Sequence, residues 1–230
     1  MQRYAIYWAP APDSALAAFG RAWLGGDPET GAPTPAEERV LLGLDATFVE
    51  RATAAPRIYG LHATMKAPFR PAPGVDAPTL SKALAAFCAR RRRFAAGSLR
   101  LARFGGWLAL IPTTPLADLS WLADECVVRF DPFRASLSPE DRDRRGPILD
   151  PLQATYMEQF GYPGIFAAFG FHITLAGPLG AAELDMIEAA LRPATAAFTQ
   201  GPFRVNDLCL FGDPGGGGLF QICGRASLMR

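Results

Sequence analysis

The stretch Arg3-Tyr4-Ala5-Ile6-Tyr7-Trp8 alternates in the manner of a strand. Pro12 and Asp13 then open a helix that stacks Leu16, Phe19 and Trp23 on one stripe. Gly, Pro and Thr dominate 25–37, which predicts a loop, and the pattern beyond it predicts a helix over about 37–53. A strand is expected over 57–66, stopped by Pro68, Pro71 and Pro73. Asp76 or Pro78 starts a helix with Leu80, Leu84 and Phe87 on its inner face, and the run Arg90-Arg91-Arg92-Arg93 closes it. Positive charge at a helix C-terminus complements the macrodipole, so this run reads as a solvated helix end rather than an RNA-binding patch. Gly105-Gly106 joins two expected strands, 98–104 and 107–111, in a hairpin.

The second half follows a similar order. A helix is expected over about 115–129, with Leu119, Leu122, Cys126 and Val127 inside. A polar, arginine-rich stretch (134–145) precedes a helix near 149–160 and a strand at 170–176. A helix from about Ala181 carries Leu184, Ile187 and Leu191, and strands near 203–211 and 219–226 flank a glycine-rich loop at 213–218. No helix follows that loop, so it reads as a hairpin connection rather than a phosphate cradle. Each half thus runs strand, helix, insertion, strand, helix, strand. The pattern predicts an α+β fold with internal duplication, in repeats of about 1–105 and 106–230 within one domain, and antiparallel sheets covered by helices.

With 50% hydrophobic and 20% charged residues among 230, disorder is excluded and a sizeable core is available. The 23 basic residues are balanced by 22 acidic ones, which gives no bulk attraction to nucleic acid or membrane. No apolar run approaches the roughly 18 residues of a spanning helix, and the N-terminus lacks a signal-peptide core, so the expected compartment is the cytoplasm. Cys88, Cys126, Cys209 and Cys223 form no CxxC and lie away from histidine, so buried reduced thiols are expected. Cys209 and Cys223 fall on strands expected to be neighbours, and the compartment argues against a disulfide there.

The chain has 2 histidines, and their surroundings match. Leu61-His62-Ala63-Thr64-Met65-Lys66-Ala67-Pro68-Phe69 sets beside Phe171-His172-Ile173-Thr174-Leu175-Ala176-Gly177-Pro178-Leu179, with His, Thr and Pro at identical offsets. Threonine is 12 of 230 residues, so Thr two places after both histidines is an accident of about 0.3%. In a strand, residues i and i+2 share a face. His62 therefore projects with Thr64, and His172 with Thr174. A pseudo-two-fold axis between two such strands would present two imidazoles and two hydroxyls to one groove. That set can hold phosphate oxygens while one imidazole takes a proton and the other gives one. Two imidazoles with no acidic neighbour are too few ligands for a metal, and no cofactor is expected.

Paired His-x-Thr motifs about a hundred residues apart resemble those of the two-histidine (2H) phosphoesterase superfamily, which includes RNA cyclic phosphodiesterases and 2′,5′-RNA ligases. Tyr59-Gly60-Leu61-His62-Ala63-Thr64-Met65-Lys66-Ala67-Pro68-Phe69 is similar to the branch encoded beside phosphonate-degradation genes, as are Asp131-Pro132-Phe133-Arg134-Ala135 and Gly161-Tyr162-Pro163. Leu61 stands where that branch usually has Phe. The resemblance implies a bilobed fold, each lobe a small antiparallel sheet backed by helices. It also implies metal-free catalysis in the groove between the lobes by His62, Thr64, His172 and Thr174.

Lys66 lies four residues beyond His62, so alternation places it in the groove as a substrate ligand, with Ala176 at the matching position. A like charge there would lower the His62 pKa. Arg134 suits bidentate phosphate contact, and Tyr162 and Tyr7 are further groove candidates. Alternation points Arg57 and Tyr59 away from His62. Arg142, Arg144 and Arg145 read as solvated surface. The expected substrate is a small sugar or nucleotide cyclic phosphate. RNA end processing and a non-catalytic nucleotide- or RNA-binding sensor are the alternatives. The sequence leaves open the oligomeric state, the direction of reaction and which histidine is the base.

Overall fold

The computed structural model describes residues 1–143 and 150–230. In chain order the elements are β1 (Arg3–Trp8), α1 (Ala15–Leu24), β2 (Gly26–Asp27), β3 (Ala32–Pro33), α2 (Ala46–Arg57), β4 (Ala63–Phe69), α3 (Ala77–Cys88), β5 (Phe94–Ala95), β6 (Leu99–Phe104), β7 (Trp107–Pro112) and α4 (Ala117–Phe130). They continue as α5 (Pro139–Asp143), α6 (Pro151–Phe160), β8 (Ile173–Ala176), α7 (Ala181–Thr199), β9 (Arg204–Val205), β10 (Asp207–Asp213) and β11 (Gln221–Ser227). Short acceptor side chains set several helix starts. Ser14, Asp45, Asp76 and Asp150 each cap the backbone N–H three residues on, opening α1, α2, α3 and α6.

Two antiparallel sheets carry the fold, one ordered β11-β10-β1-β4 and the other β6-β7-β8. The expected α+β class with antiparallel sheets is what the chain forms. The motif strands β4 and β8 are both sheet edges. The division at about residue 105 falls between β6 and β7, but the sheets do not divide there. β6 leaves the first half to pair with β7, and β10 leaves the second half to pair with β1. Helices cross as well: α4 packs on β4 and α2 on β8.

One apolar core runs behind both sheets. Ile6, Trp8 and Met65 of the first join Leu108, Leu110, Ile173 and Leu175 of the second, closed by Leu184, Ile187 and Leu191 of α7. Trp23 is wholly buried, and its indole N–H donates to the Leu175 carbonyl at 2.8 Å, tying α1 to the second motif strand.

Several boundaries differ from expectation for local reasons. The helix expected over 37–53 begins only at Ala46, where Asp45 supplies the cap, and runs on to Arg57, with Pro56 inside it. The strand begins at Ala63 and continues through Pro68 to Phe69. An edge strand tolerates the missing N–H of proline, so Pro68 does not stop it. Cys209 and Cys223 do lie on neighbouring strands, but Cys209 packs with the Tyr7 face and Cys223 with the opposite one, and both are free thiols. Arg142 pairs with Glu158 at the surface, whereas Arg144 and Arg145 lie outside the described residues.

Candidate active site

β1 sends Tyr4, Ile6 and Trp8 into the main core and Ala5, Tyr7 and Ala9 to the other face. Tyr7 pairs with Thr64, so Thr64 stands on that second face. In the other sheet Thr174 lies opposite Ala109, and Ala109 opposite Ala102. Burial repeats residue for residue over 61–67 and 171–177. Both histidines and both threonines are partly exposed, and the residues between and beyond them are buried.

Each histidine is held the same way. His62 Nδ1 lies 2.9 Å from the Gly60 carbonyl and His172 Nδ1 lies 2.7 Å from the Gly170 carbonyl. A carbonyl only accepts, so Nδ1 carries the hydrogen and Nε2 is left for chemistry. The glycines two places before each histidine, Gly60 and Gly170, supply these acceptors, and their matched positions in the sequence were the signal for them. Gly60 has φ +68°, a left-handed turn that glycine adopts without strain.

The two imidazoles differ in their surroundings. Tyr7 stacks on His62 with centroids 4.0 Å apart, and Tyr59 and Phe211 stand at 5.7 and 6.4 Å. Burial pushes the His62 pKa down to about 4. The Gly60 hydrogen bond opposes that shift, and the His172 charge adds to it. Thr64 of the first motif and His172 of the second face one cleft. His172 meets Phe104 edge-on at 5.4 Å. Tyr59 faces His62 because 58–62 is a turn after α2, where strand alternation does not apply. Arg57, also expected on the strand, ends α2 and is spent on Glu50, Thr53 and the Leu24 carbonyl.

A cleft of about 610 Å³ opens between the sheets, lined by Thr64, His172, Tyr162, Arg100, Phe104 and an apolar wall that includes Ile111 and Phe169. Tyr162 is thus at the expected groove. Tyr7 is 1% exposed and serves as the wall against His62 rather than as a ligand surface. Among the described residues the Thr64 and Thr174 hydroxyls have no protein partner.

Lys66 and Arg134 are elsewhere. Pairing steps from Tyr7–Thr64 to Ile6–Lys66, so an extra residue bulges from β4 and turns Lys66 onto the core face. β8 bulges at the same offset, since Ala109–Thr174 is followed by Leu108–Ala176. Lys66 is 3% exposed and donates to the Val127 carbonyl and to Asp131, both at 3.2 Å. Arg134 binds the same Asp131 carboxylate and the Ala135 and Gln159 carbonyls. The two cations knit β4, α4 and the end of α6 together behind the cleft. Arg100 was missed because β6 carries two arginines on opposite faces. Arg103 turns to Asp185 and Glu188 of α7, and Arg100 turns to the cleft.

Among the described residues no group of three or more His, Cys, Asp or Glu side chains could hold a metal ion, and no helix is long and apolar enough to cross a membrane.

The family described as "Protein of unknown function (DUF1045)" matches residues 64–221. Two proteins called ribose 1,5-bisphosphate phosphokinase PhnN are similar in sequence. That of Janthinobacterium sp. (strain Marseille) is 34% identical over 215 residues, covering 91% of this chain and 47% of its own. That of Laribacter hongkongensis (strain HLHK9) is 33% identical over 224 residues, covering 96% and 50%. This chain therefore spans about half the length of those relatives. Among solved structures it is similar to E. coli LigT complexed with 3′-AMP (TM-score 0.46, 14% identity, covering 100% of this chain and 99% of that one). A crystal structure described as a phosphoesterase is similar over 100% of both chains (TM-score 0.44, 14% identity).

Proposed function

The chain belongs to the DUF1045 family, whose description names no activity, and from the site we propose that it is a metal-independent two-histidine phosphoesterase that opens a small cyclic phosphodiester. The observation that carries this is the paired carbonyl-anchored histidine, each with a threonine on its own face. Thr64 and Thr174 donate to the non-bridging oxygens of the phosphate. His62, kept neutral by burial, takes a proton from water through Nε2 as the water oxygen attacks phosphorus. The ring P–O bond breaks, and His172 gives its Nε2 proton to the departing alkoxide. The Gly170 carbonyl holds its other N–H throughout.

A sugar is the favoured carrier of the cyclic phosphate. The relatives' name speaks of ribose bearing phosphates at C1 and C5, and opening a cyclic diester across two ribose hydroxyls leaves such a monoester. A place in phosphonate metabolism accords with the motif's resemblance to the phosphonate-linked branch. This chain, about half their length, lacks a sequence mark of the kinase. A P-loop needs Gly-Lys, and the two lysines here, Lys66 and Lys82, follow Met65 and Ser81.

Phosphorus NMR of ribose 1,2-cyclic phosphate, a mononucleoside 2′,3′-cyclic phosphate and a cyclic-phosphate-ended RNA tests the reading. The small compounds should be hydrolysed with chelator present. His62→Ala and His172→Ala should each lower turnover by about 10²–10⁴-fold without unfolding the chain. Turnover of RNA alone, with steep salt dependence, overturns the small-substrate reading. Full activity in either histidine variant overturns the mechanism.

A further inference from the structure

The phosphoesterase reading leaves one charge at the cleft unexplained. Arg100 is exposed and, among the described residues, its guanidinium has no hydrogen bond or ion pair. The other arginines near the site are spent: Arg134 on Asp131, Arg225 on Glu29 and Asp207, and Arg57 on Glu50. No Asp or Glu is among the described residues lining the cleft, so nothing there balances the guanidinium.

The register fixes where it stands. Arg100 lies opposite Ile111, and Leu110 opposite Ile173. Carrying that pairing one residue further sets His172 opposite Ile111. Arg100, Ile111 and His172 thus form one row across the sheet on the cleft face, with Arg100 two strands, or about 10 Å, from His172. The next row is Ala102, Ala109 and Thr174. At that spacing the long arginine side chain reaches an anion beside the reacting phosphate more readily than the phosphate itself. The far end of the same cleft is the start of α4, whose N-cap Leu116 offers no side-chain acceptor to its N–H groups.

We propose that Arg100 binds a second anionic group on the substrate, so that the site selects a cyclic phosphodiester that also carries a phosphomonoester. This rests on the phosphoesterase reading for the identity of the first phosphate. A fixed guanidinium fork suits a phosphate dianion, which accepts two hydrogen bonds from it. The surrounding wall of Ile111, Leu116, Phe169 and Phe171 offers an apolar surface to the sugar.

Two measurements on the full chain test it. The first compares kcat/KM for ribose 1,2-cyclic phosphate with and without a 5-phosphate. The wild type should prefer the 5-phosphorylated compound by about 10–100-fold, the range of a charge-assisted contact. Arg100→Gln should bring that ratio close to one, and Arg100→Lys should keep part of it. An unchanged ratio in Arg100→Gln, or no preference in the wild type, overturns the proposal. Equal losses on both substrates also overturn it, because they place Arg100 on the reacting phosphate. The second is calorimetric binding of a ribose bisphosphate against ribose 5-phosphate, which needs no turnover. A bisphosphate preference that Arg100→Gln removes supports the second-anion site even if neither cyclic compound is hydrolysed, in which case the phosphoesterase reading fails alone. Absence of that preference overturns the second-anion site even if both are hydrolysed.

Discussion

His62 is neutral through most of the pH range because its partners are rings. The imidazolium loses hydration among Tyr7, Tyr59 and Phe211, and among the described residues no carboxylate pairs with it. The acid limb of kcat/KM due to the base should therefore fall near pH 4 rather than near the ordinary 6.5. A pH–rate profile checks this, and Tyr7→Ala, which admits water to the ring, should move the limb upward. The same shift bears on stability. Folded His62 binds its proton more weakly than unfolded His62. Its contribution is full above about pH 6.5 and is lost as pH falls toward 4, which acid titration of the thermal midpoint reads. Lys66 contributes nothing to this shift, because it faces the other side of β4. Lys66→Met should leave the NMR titration of the His62 imidazole unmoved and kcat within about threefold. Arg134 still neutralises Asp131, so the stability change should be about 1–2 kcal/mol.

At the level of elements, both motif strands are bulged edges seated on helices. A bulge between Thr64 and Lys66 reverses side-chain parity, and no residue in Met65-Lys66 or Leu175-Ala176 marks it; only the partner strand's register does. α1 presses directly on the residue before His62. A Cβ on Gly20 would meet the Leu61 Cβ at 2.7 Å, too close for either to stay. Gly20→Ala should cost about 1–3 kcal/mol by overpacking and also lower kcat, because Leu61 cannot move without turning His62. Thermal melts together with turnover check both halves of that expectation. A variant destabilised with unaltered kcat would show that the Gly60 carbonyl alone holds the ring.

For the whole molecule, the duplication expected from the order of elements does not give two separable halves. β10 sits between β1 and β11, and β6 sits beside β7, so each sheet draws strands from both repeats. A fragment of residues 1–105 leaves β1 without β10 and β6 without β7. It should show no cooperative unfolding alone and should regain it when mixed with 106–230, as far-UV circular dichroism would report. Strand exchange also sets both histidines between sheets that neither half completes, so each fragment by itself should be inactive.

The sequence by itself determined which threonine accompanies each histidine. Each histidine has a threonine at i+2 and a glycine at i−2, a pattern contained in a short window of sequence. It also determined most helices, whose caps at Ser14, Asp45, Asp76 and Asp150 are local acceptors. Tertiary structure alone decided that Lys66 and Arg134 support the site from behind and that Arg100 faces it. It also decided that His62 sits among rings. Each of these depends on which strand pairs with which, at what register and with which bulge. Hydrogen bonds and burial between residues as far apart as Tyr7 and Phe211 set that pairing, and no short window of sequence contains both.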